Sequence, residues 1–98
     1  MWIVTASTDP DTLTFRLLPG AVKTVGRDQG ADLVVDVALV SRVHCRLEVK
    51  SAAIEVTDLS STNGTFVNDR RVTRATLTAG DRLRVGRVEF NVERSDAS

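Results

Sequence analysis

The sequence predicts an all-β sandwich of about eleven short, mostly antiparallel strands. Three observations carry this. Apolar and polar residues alternate with a period of two along most of the chain, turn-forming residues break that alternation at short intervals, and helical periodicity is nearly absent. The 98 residues fit one domain. A domain of this size buries only a modest share of its surface, so every strand must contribute to one shared core.

The elements follow in chain order. Strands are expected at 2–6, 14–18, 22–26 and 33–35. Val43, Cys45, Leu47 and Val49 then alternate with His44, Arg46, Glu48 and Lys50, which predicts a strand with all four apolar residues facing inward. Ile54 and Val56 alternate with Glu55 and Thr57. Two short strands are expected near 65–67 and 72–77. The last two carry Leu83 and Val85, then Val88, Phe90 and Val92, on their inner faces. The turns between them are Asp9-Pro10-Asp11, Pro19-Gly20, Asp28-Gln29-Gly30, Asn63-Gly64, Asn68-Asp69, Ala79-Gly80-Asp81 and Gly86. The domain is expected to span 1–94, with 95–98 a polar tail or the start of a linker.

Composition narrows the function. Thirteen basic and thirteen acidic residues cancel, which argues against a general polyanion binder, so no direct nucleic-acid partner is expected. One cysteine and one histidine allow no internal disulfide and no cysteine-based metal cluster; no metal and no cofactor is expected. No apolar run approaches the roughly 18 residues of a membrane span, and the first residues lack a secretory signal, which predicts an intracellular protein without membrane attachment. Eleven of the thirteen basic residues are arginine, whose planar fork suits bidentate phosphate contacts.

Three loop segments are polar in a way the strands do not require: Gly26-Arg27, Ser41-Arg42-Val43-His44, and the run from Asp58 to Thr65. Together they hold what a phosphate receptor needs. A phosphomonoester brings about −1.5 to −2 charges and three acceptor oxygens. Arg27 offers a guanidinium at a strand end, Arg42 a second cation, and Ser41 and Thr62 short hydroxyl donors. Asn63 can donate to a peptide carbonyl and accept from a peptide N–H, and Gly64 lets the chain turn tightly. Each piece also has an ordinary reading: a solvated arginine, plain loop residues, and a two-residue hairpin turn at Asn63-Gly64. Cys45 reads as a buried, unreactive thiol. Ser41, His44 and Asp58 could be imagined as a hydrolytic triad, but no nucleophile elbow and no phosphate-binding glycine loop is present, so no enzyme is expected and no catalytic residue is assigned.

In order and spacing, Gly26-Arg27, Ser41-Arg42-Val43-His44, Asp58-Leu59-Ser60-Ser61-Thr62-Asn63-Gly64-Thr65-Phe66-Val67-Asn68 and Gly80-Asp81 closely resemble the signature of the forkhead-associated (FHA) family, over essentially the whole chain. The resemblance implies an FHA/SMAD-like sandwich with its site on the loops at one end. It implies that Arg27 binds the phosphate of a phosphothreonine in a partner protein, that Ser41 and Thr62 hydrogen-bond on the phosphate side, and that Arg42 adds a cationic contact. Asn63 would hold the partner's backbone, His44 would tie the loops together, and Gly26 and Gly64 would set backbone geometry. Phosphothreonine is expected over phosphoserine, its methyl group filling a small recess. Ser60 stands where the family often has glycine, which is tolerable unless the position needs a positive φ.

A narrower likeness rests on Met1-Trp2, the stretch from Arg16 to Gly20, and Gly64-Thr65-Phe66-Val67-Asn68. It is similar to the nibrin-like DNA-break-repair adaptors, and implies a nuclear protein with acidic residues flanking the phosphothreonine of its partners. The alternatives are a bacterial FHA signalling protein and an interaction module that ignores phosphate.

Overall fold

The computed structural model describes residues 1–8 and 11–95. Eleven strands form two sheets. They are β1 (Trp2–Thr8), β2 (Asp11–Leu17), β3 (Val22–Gly26), β4 (Leu33–Val34), β5 (Cys45–Val49), β6 (Ile54–Asp58), β7 (Thr65–Val67), β8 (Arg70–Val72), β9 (Arg74–Leu77), β10 (Arg82–Val85) and β11 (Val88–Arg94). The six-stranded sheet runs β2-β1-β11-β10-β7-β8 and the five-stranded sheet β4-β3-β5-β6-β9. The paired strands are antiparallel except β3 and β4, which run parallel with Val25 opposite Leu33.

Alternation builds the core. Trp2, Val4 and Ala6 of β1, with Val88, Phe90 and Val92 of β11, face Val25, Cys45, Leu47, Val49, Ile54 and Val56 of the other sheet, all buried. The Trp2 indole is satisfied inside, its Nε1 donating to the Lys50 carbonyl at 2.9 Å.

The structure departs from the alternation in three places. Val43 is 49% exposed, although its parity matches Cys45. The strand begins at Cys45, and Val43 belongs to the loop before it, where the chain bends to meet Gly26. The stretch 72–77, expected as one strand, is two strands on different sheets: β8 pairs with β7, β9 with β6, and Thr73 is the crossing point. Asn63-Gly64 is not a hairpin turn, because β6 before it and β7 after it lie in opposite sheets. The tight hairpin is instead Asn68-Asp69, both with positive φ (50° and 69°), joining β7 to β8 in the pattern of a type I′ turn. Asp9-Pro10 and the tail at 96–98 lie outside the described residues.

Candidate functional site

The three polar loops meet at one end of the sandwich. Gly26 ends β3 and Arg27 follows it; the loop 35–44 joins β4 to β5; the loop 59–64 crosses from one sheet to the other. Backbone bonds fix the first two together: Arg27 N–H donates to Ser41 at 2.9 Å, Asp28 N–H to Arg42 at 3.1 Å, and His44 N–H to Val25 at 2.8 Å. Their approach depends on Gly26, since the space a Cβ would fill there is occupied by the Arg42 carbonyl. Gly86, in the β10–β11 turn, plays the same part on the other side, where a Cβ would run into the Leu39 carbonyl.

His44 is fully buried and bridges the loops. Its Nδ1 accepts from Ser41 N–H at 3.0 Å, which leaves Nε2 to carry the hydrogen and donate to the Gly64 carbonyl at 2.8 Å. Behind it stands Asp58. One oxygen of Asp58 accepts from the Thr65 hydroxyl at 2.7 Å and from the Ser61 hydroxyl, and the other accepts from Ser61 N–H at 3.1 Å. Ser61 Oγ in turn accepts from Gly64 N–H at 3.1 Å. Burial pushes the Asp58 carboxyl up, but the hydrogen bonds from Ser61 and Thr65 outweigh it and hold the group below the usual carboxylate range. The same burial, followed by the nearby Asp58 charge, pushes the Cys45 thiol up to about 12.

On this frame lies an open depression of about 480 Å³, lined by Arg27, Ser41, Arg42, Thr62 and Asn63 together with Leu39, Val40, Val43 and Ser60. Arg27 is exposed but oriented, its Nε donating to the Val40 carbonyl at 3.0 Å. Among the described residues no carboxylate forms an ion pair with it. Arg42 stands in solvent, 3.7 Å from Asp28. Ser41 Oγ accepts from Thr62 N–H at 3.0 Å, so its own hydrogen remains available to donate. Asn63 Nδ2 donates to the Leu39 carbonyl at 3.0 Å.

The five residues assigned by sequence to a ligand thus line one depression, with Gly26, His44 and Gly64 in the frame beneath it. Ser41, His44 and Asp58 form no catalytic relay: the histidine bonds the backbone N–H of Ser41, not its hydroxyl, and Asp58 bonds Ser61 and Thr65. Sequence reasoning missed Val40, whose carbonyl aims Arg27, and Gly86, which reads as an ordinary turn. It missed the Asp58–Ser61–Thr65 network too, for which the three-residue spacing of Asp58 and Ser61 was the available signal.

The family model for the FHA domain matches residues 23–86. The chain belongs to the FHA family. It is 41% identical over 81 residues to the ABC transporter ATP-binding/permease protein Rv1747 of Mycobacterium tuberculosis, covering 83% of this chain and 9% of that protein. It is 35% identical over 71 residues to the glycogen accumulation regulator GarA of the same species, covering 72% of this chain and 44% of that protein. The chain therefore spans less than half of these relatives. Among solved structures, the FhaA FHA domain complexed with the intracellular domain of Rv3910 superposes with a TM-score of 0.84 at 30% identity, covering 95% of this chain and 100% of that one. An FHA domain from a study of phosphothreonine-dependent FHA interactions superposes with a TM-score of 0.85 at 31% identity, covering 96% of each chain. These FHA relatives lend no support to the narrower nibrin-like likeness, nor to the DNA-repair role and nuclear location it implied.

Proposed function

We propose that this FHA domain is a phosphothreonine-dependent interaction module of the bacterial signalling type, with no catalytic role. One observation carries the reading: the Arg27 guanidinium is aimed into the depression by Val40, has no carboxylate partner among the described residues, and shares that depression with the hydroxyl-bearing residues Ser41, Ser60 and Thr62. A phosphomonoester supplies the missing charge. Arg27 pairs with it, Ser41 donates its free hydroxyl hydrogen, Thr62 donates from the opposite loop, and Arg42 exchanges Asp28 for the incoming oxyanion. Asn63 orients the partner's backbone. Each charge-assisted bond is worth roughly 1.5–3 kcal/mol net, and the loss of water from Arg27 offsets part of the sum. The phosphothreonine-dependent binding reported for a structural neighbour favours the same reading.

The test is calorimetric titration with matched peptides bearing phosphothreonine, phosphoserine or unmodified threonine, against the intact chain and Arg27→Ala. Binding confined to phosphopeptides, strongest with phosphothreonine and lost in Arg27→Ala, supports the module. Equal binding of the unmodified peptide would instead favour a module that ignores phosphate.

A further inference from the structure

Arg71 is an exposed cation that the phosphate site does not use. It lies on β8, directly opposite Phe66 of β7, and Phe66 in turn lies opposite Arg84 of β10. The Arg84 guanidinium is stacked over the Phe66 ring, 3.9 Å from its centroid. The Arg71 guanidinium lies over Gly64: a Cβ there would stand 3.0 Å from Arg71 Nε, 3.2 Å from its Cζ and 3.0 Å from the edge of the Phe66 ring. Two cations are therefore parked around one aromatic side chain. In the same sheet Arg82 pairs with Asp69 and Glu89, and in the other sheet Arg74 pairs with Glu55. Among the described residues no carboxylate pairs with Arg71 or Arg84. In a chain of zero net charge this is a local surplus of positive charge.

Its position gives the surplus a meaning. Gly64 directly follows Asn63, which lines the phosphate depression. The Arg71 guanidinium thus stands one residue outside the wall of that depression. An extended peptide advances about 3.3 Å per residue, so a side chain within about three residues of the phosphothreonine reaches it. Resting over Gly64 restrains the guanidinium in advance, which lowers the entropy lost when it grips a ligand.

We propose that Arg71 is a specificity-determining residue: it takes a second oxyanion, a carboxylate or another phosphate, on the same peptide whose phosphothreonine occupies the Arg27 site. The inference rests on the receptor reading above.

The experiment titrates the intact chain with phosphothreonine peptides in which a single aspartate is walked through alanine flanks. One flanking position is expected to tighten binding about threefold to tenfold, the range of an exposed to half-desolvated ion pair. Arg71→Gln keeps most of the aliphatic stem on β8 but removes the guanidinium, and should abolish that gain while leaving the alanine-flanked phosphopeptide within about twofold of its original affinity. Arg71→Glu should turn the preference to lysine at the same position, a reversal that a merely structural arginine would not produce. Phosphoserine at the responsive position separates the two ligand sources: a gain well above that of aspartate assigns a second phosphate, an equal gain an acidic residue. An aspartate gain that survives Arg71→Gln overturns the proposal. So does the absence of any responsive position when the alanine-flanked phosphopeptide binds, and that result leaves the receptor reading intact. Failure of every phosphopeptide to bind removes the receptor reading and this inference with it.

Discussion

Asn63 donates its side-chain amide to the carbonyl of Leu39 across 3.0 Å, and Leu39 is held there at a φ of 74°. A branched aliphatic residue in the left-handed region costs about 1–2 kcal/mol, and such strain persists only where the surroundings impose it. Asn63 holds it from one loop, and Gly86 in another leaves the room its carbonyl occupies. Leu39 and Val43, 53% and 49% exposed, then stand as the apolar rim of the depression.

Asn63→Ala should therefore weaken binding far more than it weakens the fold. The lost hydrogen bond is solvent-exposed, so a stability loss at the low end of about 0.5–1.5 kcal/mol is expected. Peptide affinity should fall more than about tenfold, because one hydrogen bond to the partner and the setting of Leu39 go together. Chemical denaturation and calorimetry on the same variant separate the two effects. A stability loss with unchanged affinity would show that Asn63 serves the loop alone.

Gly26→Ala tests the contact between β3 and the loop above it. The methyl group must displace the Arg42 carbonyl, which is backbone held by Asp28 N–H, so no side-chain rotation relieves the overlap. We expect a loss of about 2–3 kcal/mol, at the upper end for overpacking, together with loss of phosphopeptide binding. A stability change under about 0.5 kcal/mol would mean that the loop moves aside without cost.

Ser60 offers a change in the opposite direction. It has a φ of 58°, so the position does require the left-handed region, and Ser60 carries that strain at the edge of the depression. Ser60→Gly should stabilise by about 0.5–1 kcal/mol, the relief of strain exceeding the added freedom of the unfolded chain. Ser60→Ala should give no gain, since alanine keeps the Cβ. Equal effects of the two in thermal unfolding would place the cause in the hydroxyl.

Acid should act on binding and on folding in separate windows. The folded Asp58 carboxyl lies below its usual value of 3.8, burial opposing and the Ser61 and Thr65 bonds prevailing. Asp81 lies below it as well, chiefly through the Thr78 N–H, as does Asp32 through Thr24 N–H; Glu55 lies below its own value of 4.5 through Lys50. A group depressed in the folded state contributes stability that is complete above its unfolded pKa and is lost as pH falls through the folded one. The unfolding midpoint should stay level from neutrality to about pH 5 and drop below about pH 4. Asp58→Asn should lower the midpoint at neutral pH and shrink that acid drop, because its amide nitrogen replaces one of the two oxygens and cannot accept the bonds that oxygen takes from Ser61 or Thr65. Phosphopeptide affinity should decline earlier, around the phosphate's second pKa of about 6. A single transition common to binding and unfolding would contradict this.

Much of the fold was legible because the core follows parity: Trp2, Val4 and Ala6, or Val88, Phe90 and Val92, alternate without interruption and all are buried. The polar lining of the depression was largely legible too, since Arg27, Ser41, Arg42, Thr62 and Asn63 are polar groups that no strand requires, whereas its apolar members Leu39, Val40 and Val43 were not. What failed to show were relations that parity cannot express. Val43 has the right parity in the wrong segment. Thr73 looks like the middle of a strand, but it is where the chain leaves one sheet for the other, because β8 is tied to β7 by a tight turn while β9 must reach β6. The weight carried by Gly86 and the Val40 carbonyl depends on loops distant in sequence.

The buried Cys45 makes the domain its own gauge of opening. Only a thiolate attacks an electrophile, and with the thiol at about 12 and no part of the residue open to solvent, a labelling reagent finds nothing to react with in the closed sandwich. Labelling must wait for β3, β5 and β6 to separate around it. Its rate thus counts those excursions directly in the unmodified chain. A ligand that clamps the loops above Asp58 would register as a slower clock.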